Sequence, residues 1–180
     1  GKHGENKLGG ISEHQCHSCE VGKFMPYHGG TECIFCPPGN FCNSTNLINY
    51  YSCQPGKYQK KSGQTSCIAC EPGTYQDKHQ GANCVLCPLG HYNNKVGSKD
   101  LADCLPCPKG TFAGQKGAVE CQKCGLNQYT NLTGQSECQV CSSRMTTVGE
   151  TENGLGATRC VYTNVCLAGS GLLHENSMCL

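Results

Sequence analysis

Tryptophan is absent from these 180 residues, phenylalanine occurs 4 times, and Leu, Ile, Val and Phe together number 29, about 16%. A conventional packed core cannot be assembled from so little apolar side chain. Charge is scarce too. The 14 Lys and Arg against 13 Asp and Glu leave a net charge of +1, dispersed along the chain, which gives no electrostatic footprint for nucleic acid or an anionic membrane. The densest basic spot, Lys60-Lys61, reads as a solvated hairpin edge. No stretch approaches the roughly 18 apolar residues of a spanning helix. The chain opens Gly1-Lys2-His3-Gly4 without an initiator Met or a signal peptide, so a processed product or a piece of something larger is expected. Asp77, Asp100 and Asp103 are the sole aspartates, and serines and histidines are unclustered. No triad or carboxylate pair suggests itself, so neither catalysis nor a cofactor is expected.

What the chain has instead is sulfur. Its 19 cysteines exceed the density that marks a disulfide scaffold. Each bridge stabilises a small fold by about 2–4 kcal/mol, by restricting the unfolded ensemble. Crosslinks on this scale persist in oxidising surroundings, so the protein is expected to be secreted or to face outward from a cell. Two sequons, Asn43-Ser44-Thr45 and Asn131-Leu132-Thr133, agree with that route and make Asn43 and Asn131 the expected carriers of N-linked glycans.

Cysteine, glycine and an aromatic ring keep a common beat. Three residues after the second cysteine of each repeat stand Gly22, Gly39, Gly56, Gly73, Gly90, Gly110 and Asn127, a 17-residue period broken once by a three-residue insertion. Two residues further on stand Phe24, Phe41, Tyr58, Tyr75, Tyr92, Phe112 and Tyr129. The unit reads C-x-x-G-x-(Y/F), and the chain is a string of copies of one module. In Cys53-Gln54-Pro55-Gly56 the proline presets φ for the second residue of a turn, and glycine supplies the positive φ wanted at the third. Asn127 tolerates the left-handed region and so fits the slot. In the eighth copy Arg144 and Thr146 hold the glycine and aromatic slots, which predicts a different turn there. Each copy should form two short strands joined near a second glycine, Gly63, Gly81, Gly97, Gly117 or Gly134, with the ring packed on the adjacent disulfide.

Seven C-x-x-C pairs begin at Cys16, Cys33, Cys67, Cys84, Cys104, Cys121 and Cys138. The second cysteine of one pair precedes the first of the next by 14 residues in most copies, by 17 from Cys87 to Cys104, and by 19 from Cys141 to Cys160. Bridging across that interval would close a hairpin in every repeat. One copy is irregular: Tyr50 stands where a cysteine is due before Cys53, and the orphaned Cys36 finds an added cysteine, Cys42, inside its own repeat. Sequential pairing then joins Cys19 to Cys33, Cys36 to Cys42, Cys53 to Cys67, Cys70 to Cys84, Cys87 to Cys104, Cys107 to Cys121, Cys124 to Cys138, Cys141 to Cys160 and Cys166 to Cys179. Cys16 is left over, for an intermolecular disulfide or for a partner lost by upstream truncation.

Interleaved pairings within repeats stay open on sequence grounds. Zinc is the chief rival, because two C-x-x-C knuckles complete a tetrahedron; against it, seven knuckles cannot be shared out in twos. His14-Gln15-Cys16-His17-Ser18-Cys19 reads as exposed imidazoles beside a disulfide rather than a metal cluster. Asp100 and Asp103, in the insertion, read as a surface loop without the carboxylate density of a calcium site.

The run from Cys67-Ile68-Ala69-Cys70-Glu71-Pro72-Gly73-Thr74-Tyr75 through Cys84-Val85-Leu86-Cys87-Pro88 resembles the ephrin-receptor-like cysteine-rich repeat. Its first half is similar to the one-disulfide module of tumour necrosis factor receptors, whose simple hairpin bridge implies the sequential pairing. The likeness covers roughly residues 16 to 160, with departures at Tyr50, Cys42 and Arg144. It implies no catalytic residues, and such modules serve as spacers, ligand-binding faces and fibre segments alike.

The expected fold is small and disulfide-rich: tandem short β-hairpin modules stacked into an elongated rod, with little helix, each touching mainly its neighbours. Residues 1–15 form a cysteine-free segment expected to dock on a neighbour, 16–160 hold the repeats, and 161–180 close a small disulfide loop or begin a further module. The expected function is a non-enzymatic structural segment of an extracellular glycoprotein, in a filament, flagellar hair, matrix or cell coat. It would associate with copies of itself or other extracellular proteins, with no nucleic-acid partner and no membrane span. The stalk or ligand-binding region of a cell-surface receptor is the alternative.

Overall fold

The computed structural model describes residues 2–4, 16–28, 30–147 and 155–162. Every sheet among them is a two-stranded antiparallel hairpin. The first strand starts directly after the slot glycine, and the second lies between the two cysteines of the following pair. Thus Lys57 faces Ala69 and Tyr58 faces Ile68, while Thr74 faces Leu86 and Tyr75 faces Val85. Lys2–Gly4 pairs in the same manner with Cys16–Ser18, His3 opposite His17.

Two-residue strands cannot persist on ladder bonds alone, and covalent closure makes up the deficit. Bridges join Cys19–Cys33, Cys36–Cys42, Cys53–Cys67, Cys70–Cys84, Cys87–Cys104, Cys107–Cys121, Cys124–Cys138 and Cys141–Cys160. Cα atoms across them lie 5.6 to 6.2 Å apart, the usual span. These bridges number the repeats one to eight. Cys166, Cys179 and His14 lie outside the described residues, and of Cys16 the backbone alone is described.

The hairpins open on a common turn, which Pro-Gly chemistry dictates at Pro38-Gly39, Pro55-Gly56 and Pro72-Gly73. Gly56 has φ +84°, and the Lys57 N–H donates to the Gln54 carbonyl at 3.0 Å. Repeat eight does not differ, contrary to the sequence expectation. Arg144 holds φ +69°, and the Met145 N–H donates to the Ser142 carbonyl at 3.1 Å. A left-handed φ costs an ordinary residue about 1–2 kcal/mol, which the flanking bridge and strand can impose.

Contacts group the chain into two compact units, Gly1–Cys87 with Asn93–Cys104, and Pro88–Tyr92 with Leu105–Leu180. In the first, the same three backbone bonds join successive repeats. The slot-glycine N–H donates to the carbonyl one residue past the next ring, as Gly39 to Gln59 at 2.7 Å and Gly56 to Gln76 at 2.8 Å. The residue past the ring donates to the tip of the following hairpin, as Gln59 to Gly81 at 3.0 Å and Gln76 to Ser98 at 3.1 Å. The tip returns a bond to the cysteine, Gly63 to Cys36 at 2.8 Å and Gln80 to Cys53 at 2.9 Å. In repeat four the left-handed tip residue is Gln80, φ +61°, rather than Gly81. It lies as far beyond Tyr75 as Gly63 lies beyond Tyr58, so register rather than composition fixes the turn.

The second unit is joined in the same way. Gly90 donates to Ala113 at 2.9 Å, Gly110 to Thr130 at 2.8 Å, and Gly134 to Cys107 at 2.8 Å. Within each unit, repeats two apart also meet. A Cβ on Gly56 would fall on the carbonyl oxygen of Gly97, and one on Gly110 on that of Gly156. Contacts therefore reach past nearest neighbours, and the slot glycine answers both a positive φ and a close backbone approach. Beyond Arg144 no further repeat lies among the described residues, and there side chains occupy the slot at Asn127 and Arg144.

Little of the interior is oily. The second cysteines Cys19, Cys36, Cys70, Cys87, Cys107 and Cys124 are fully buried. Besides the slot glycines, the recurring buried position is the residue after the ring, filled by Met25, Cys42, Gln59, Gln76, Asn93, Ala113 and Thr130. The rings themselves, Phe24 excepted, are half-buried. Phe24 packs with Cys36 and Cys42 and meets Tyr50 edge-on at 5.2 Å, so the ring-on-disulfide contact anticipated for every copy is seen here. Buried amides span the hairpin tip: Gln59 donates to the Ser66 carbonyl at 2.8 Å and accepts from the Lys61 N–H at 3.1 Å. Asn93 donates to Ser98 Oγ at 2.7 Å and accepts from the Lys95 N–H at 2.9 Å. A buried polar group so satisfied stabilises by about 1 kcal/mol, whereas an orphaned one costs more.

Candidate functional site: a cleft recurring between repeats

Where the strand face of one hairpin abuts the disulfide edge of the next, the first unit has an open cleft. Between repeats two and three it is about 410 Å³, with Phe41, Tyr51 and Ser52 on one wall and Lys57, Ser66 and Cys67 on the other. Between repeats three and four it narrows to about 190 Å³, and Tyr58 faces Glu71, Thr74 and Cys84. An equivalent cleft of about 650 Å³ places His17 and Ser18 against Glu20, Lys23 and Cys33. Thr74, Asn83 and Cys84 each follow Lys57, Ser66 and Cys67 by 17 residues, so the clefts are copies of one site set by the repeat period. Its floor is a disulfide, one wall is aromatic, and the other is polar.

A separate cleft of about 470 Å³ lies at the tip of repeat six, beside Phe112, Gly117 and Ala118. Ala113 stands there where repeats three and four place the buried glutamine that spans the tip.

Asn43 and Asn131 are both exposed and occupy the same repeat slot, two residues past the ring. Asp100 and Asp103 turn inward on their own loop. The Asp103 carboxylate accepts the Lys99 N–H at 2.8 Å, that of Asp100 accepts the Ala102 N–H at 2.9 Å, and together they box the 3-10 turn Leu101–Asp103. Among the described residues no group of three or more His, Cys, Asp or Glu is placed to hold a metal ion, and the described C-x-x-C cysteines from Cys19 to Cys141 are engaged in bridges. No helix among them is long and apolar enough to cross a membrane.

Hairpins, glycine turns and sequential bridges at this spacing match a known module. The family model for tyrosine-protein kinase ephrin type A/B receptor-like sequences matches residues 56–104, 98–134 and 110–152. The chain belongs to this ephrin-receptor-like family. The matched segments run from Gly56 to Thr151 and one residue beyond, more than half of the 180 residues. The family is a non-catalytic, cysteine-rich domain type. No curated protein matches the chain. The residue after the ring, buried in every repeat down to Thr130, escaped sequence reasoning because Met, Cys, Gln, Asn, Ala and Thr share no composition. Its fixed offset from the ring is the signal that could have found it.

Proposed function

We propose that this chain is a structural segment of an extracellular glycoprotein, part of a filament, flagellar hair, matrix or cell coat, that assembles with copies of itself. The observation that carries the reading is the dock between repeats. Each repeat from one to eight carries its own bridge, which closes the hairpin in all but repeat two, where Cys36–Cys42 spans one strand, and backbone bonds such as Gly39 to Gln59 and Gly110 to Thr130 join successive repeats. Within each unit such a joint sets one repeat on the next through varied sequence. Bridges of this density belong to an oxidising compartment, and the exposed Asn43 and Asn131 are the sites where N-glycans attach.

A second reading, the stalk or ligand-binding region of a cell-surface receptor, is favoured by the family match. Antibody against the chain, applied to unpermeabilised cells, separates the two. A structural segment gives continuous labelling of fibres or coat that resists detergent, and a receptor stalk gives labelling that detergent extracts. Labelling confined to permeabilised cells defeats both. A glycosidase shift lost in the Asn43→Gln, Asn131→Gln double variant checks the glycans.

A further inference from the structure

We propose that the face of repeats two to four that bears the rings and their aliphatic or aromatic cross-strand neighbours is the contact between two copies of this chain, related by a two-fold axis through the Tyr58–Ile68 pair of repeat three. This deepens the self-assembly reading, on which it rests. Along this face the ring and its cross-strand neighbour are Phe41 with Tyr51, Tyr58 with Ile68, and Tyr75 with Val85. Tyr51 is 50%, Ile68 50% and Val85 46% exposed. In repeats six and seven the same strand position carries Gln122 and Gln139. The hairpin therefore does not require an apolar side chain there, and the apolar choice runs from Ile34 in repeat one to Leu105 in repeat five, with repeat three at its centre.

The face is continuous through the clefts. Tyr51 shares one with Cys67, which adjoins Ile68, and Tyr58 shares the next with Cys84, which adjoins Val85. With Tyr51, Ile68 and Val85 half-exposed and the three rings more deeply covered, the six side chains offer at most roughly 500 Å², below the roughly 800 Å² per partner of a standard interface. That shortfall points to a reversible dimer rather than a permanent one.

Charge selects the occupant. Exposed Lys57 lines the cleft on one side of the Tyr58–Ile68 pair, and exposed Glu71 lines the cleft on the other. A two-fold axis through that pair exchanges the clefts, bringing Lys57 of each copy to Glu71 of the other. The contact is self-complementary and closes at two.

Sedimentation equilibrium of the oxidised chain over the micromolar range tests this. The wild type should dimerise reversibly. Ile68→Lys should weaken the dimer at least about tenfold, Lys57→Glu should weaken it severalfold, and adding Glu71→Lys to Lys57→Glu should restore it. Gln122→Lys should change nothing. A wild type that stays monomeric overturns both this contact and the self-assembly reading. A dimer indifferent to Ile68→Lys overturns the face alone. Loss on Lys57→Glu without rescue by Glu71→Lys overturns the two-fold register.

Discussion

Replacing Gly56 by alanine, and Gly97 by alanine beside it, separates the two demands on the repeat's glycines. Both positions are left-handed, with φ +84° and +73°, so each substitution incurs the steric cost of that conformation, about 1–2 kcal/mol. They differ in surroundings. A Cβ on Gly97 meets nothing nearer than the Gly56 carbonyl oxygen at 3.8 Å and Ala69 Cβ at 3.9 Å, ordinary contact distances. A Cβ on Gly56 lands on the Gly97 carbonyl oxygen, and backbone rather than a flexible side chain must give way. That displacement strains the bonds from Gly56 to Gln76 and from Cys70 to Gly56, at 2.8 and 2.9 Å, adding about 1–2 kcal/mol. Gly97→Ala should therefore cost about 1 kcal/mol and Gly56→Ala about 3 kcal/mol. Urea unfolding with the bridges intact measures the difference. Amide exchange at position 56 and at Cys70 should rise in Gly56→Ala alone. Equal losses in the two variants would refute the two-repeat contact.

Three other outcomes follow from the packing. Ala113→Gln should fill the tip of repeat six and recreate the amide span of Gln59, raising stability by about 1 kcal/mol; a lowered denaturation midpoint would contradict it. Both sulfurs of the Cys36–Cys42 bridge belong to fully buried residues, whereas Cys33, Cys67 and Cys84 are half-buried. Under limiting reductant, Cys36 and Cys42 should be the last alkylated by mass spectrometry, and early labelling of either would count against the core described. Asp103→Ala removes the carboxylate that accepts the Lys99 and Asp100 N–H groups at 2.8 and 3.2 Å. It should destabilise the insertion loop by about 0.5–2 kcal/mol, seen as faster amide exchange confined to residues near Leu101.

Much of the fold was legible because its period is carried by residues whose chemistry is restrictive. Cysteine spacing gives the hairpin length, and Pro55-Gly56 gives the turn that opens it. The irregular copy is readable for the same reason. Cys42 takes the buried slot that Gln59 and Gln76 fill elsewhere, and Tyr50 takes the vacated cysteine slot and packs on Phe24. Contacts between repeats were not legible. Most are backbone bonds whose donors and acceptors every residue carries, so Gln80 takes the left-handed tip despite Gly81 beside it. The recurring cleft was half legible. Its rings announce themselves, but their faces alternate with a strand period that a two-residue strand is too short to reveal.

The central claim is that disulfides in sequential order, closing every hairpin but that of repeat two, take the place of an apolar core. Peptide mapping of the unreduced protein by mass spectrometry tests it most directly. The account predicts crosslinked peptides joining Cys53 to Cys67, Cys70 to Cys84 and Cys107 to Cys121, with Cys36 joined to Cys42. Crosslinks that skip a repeat, or cysteines recovered as free thiols with bound metal, would contradict it.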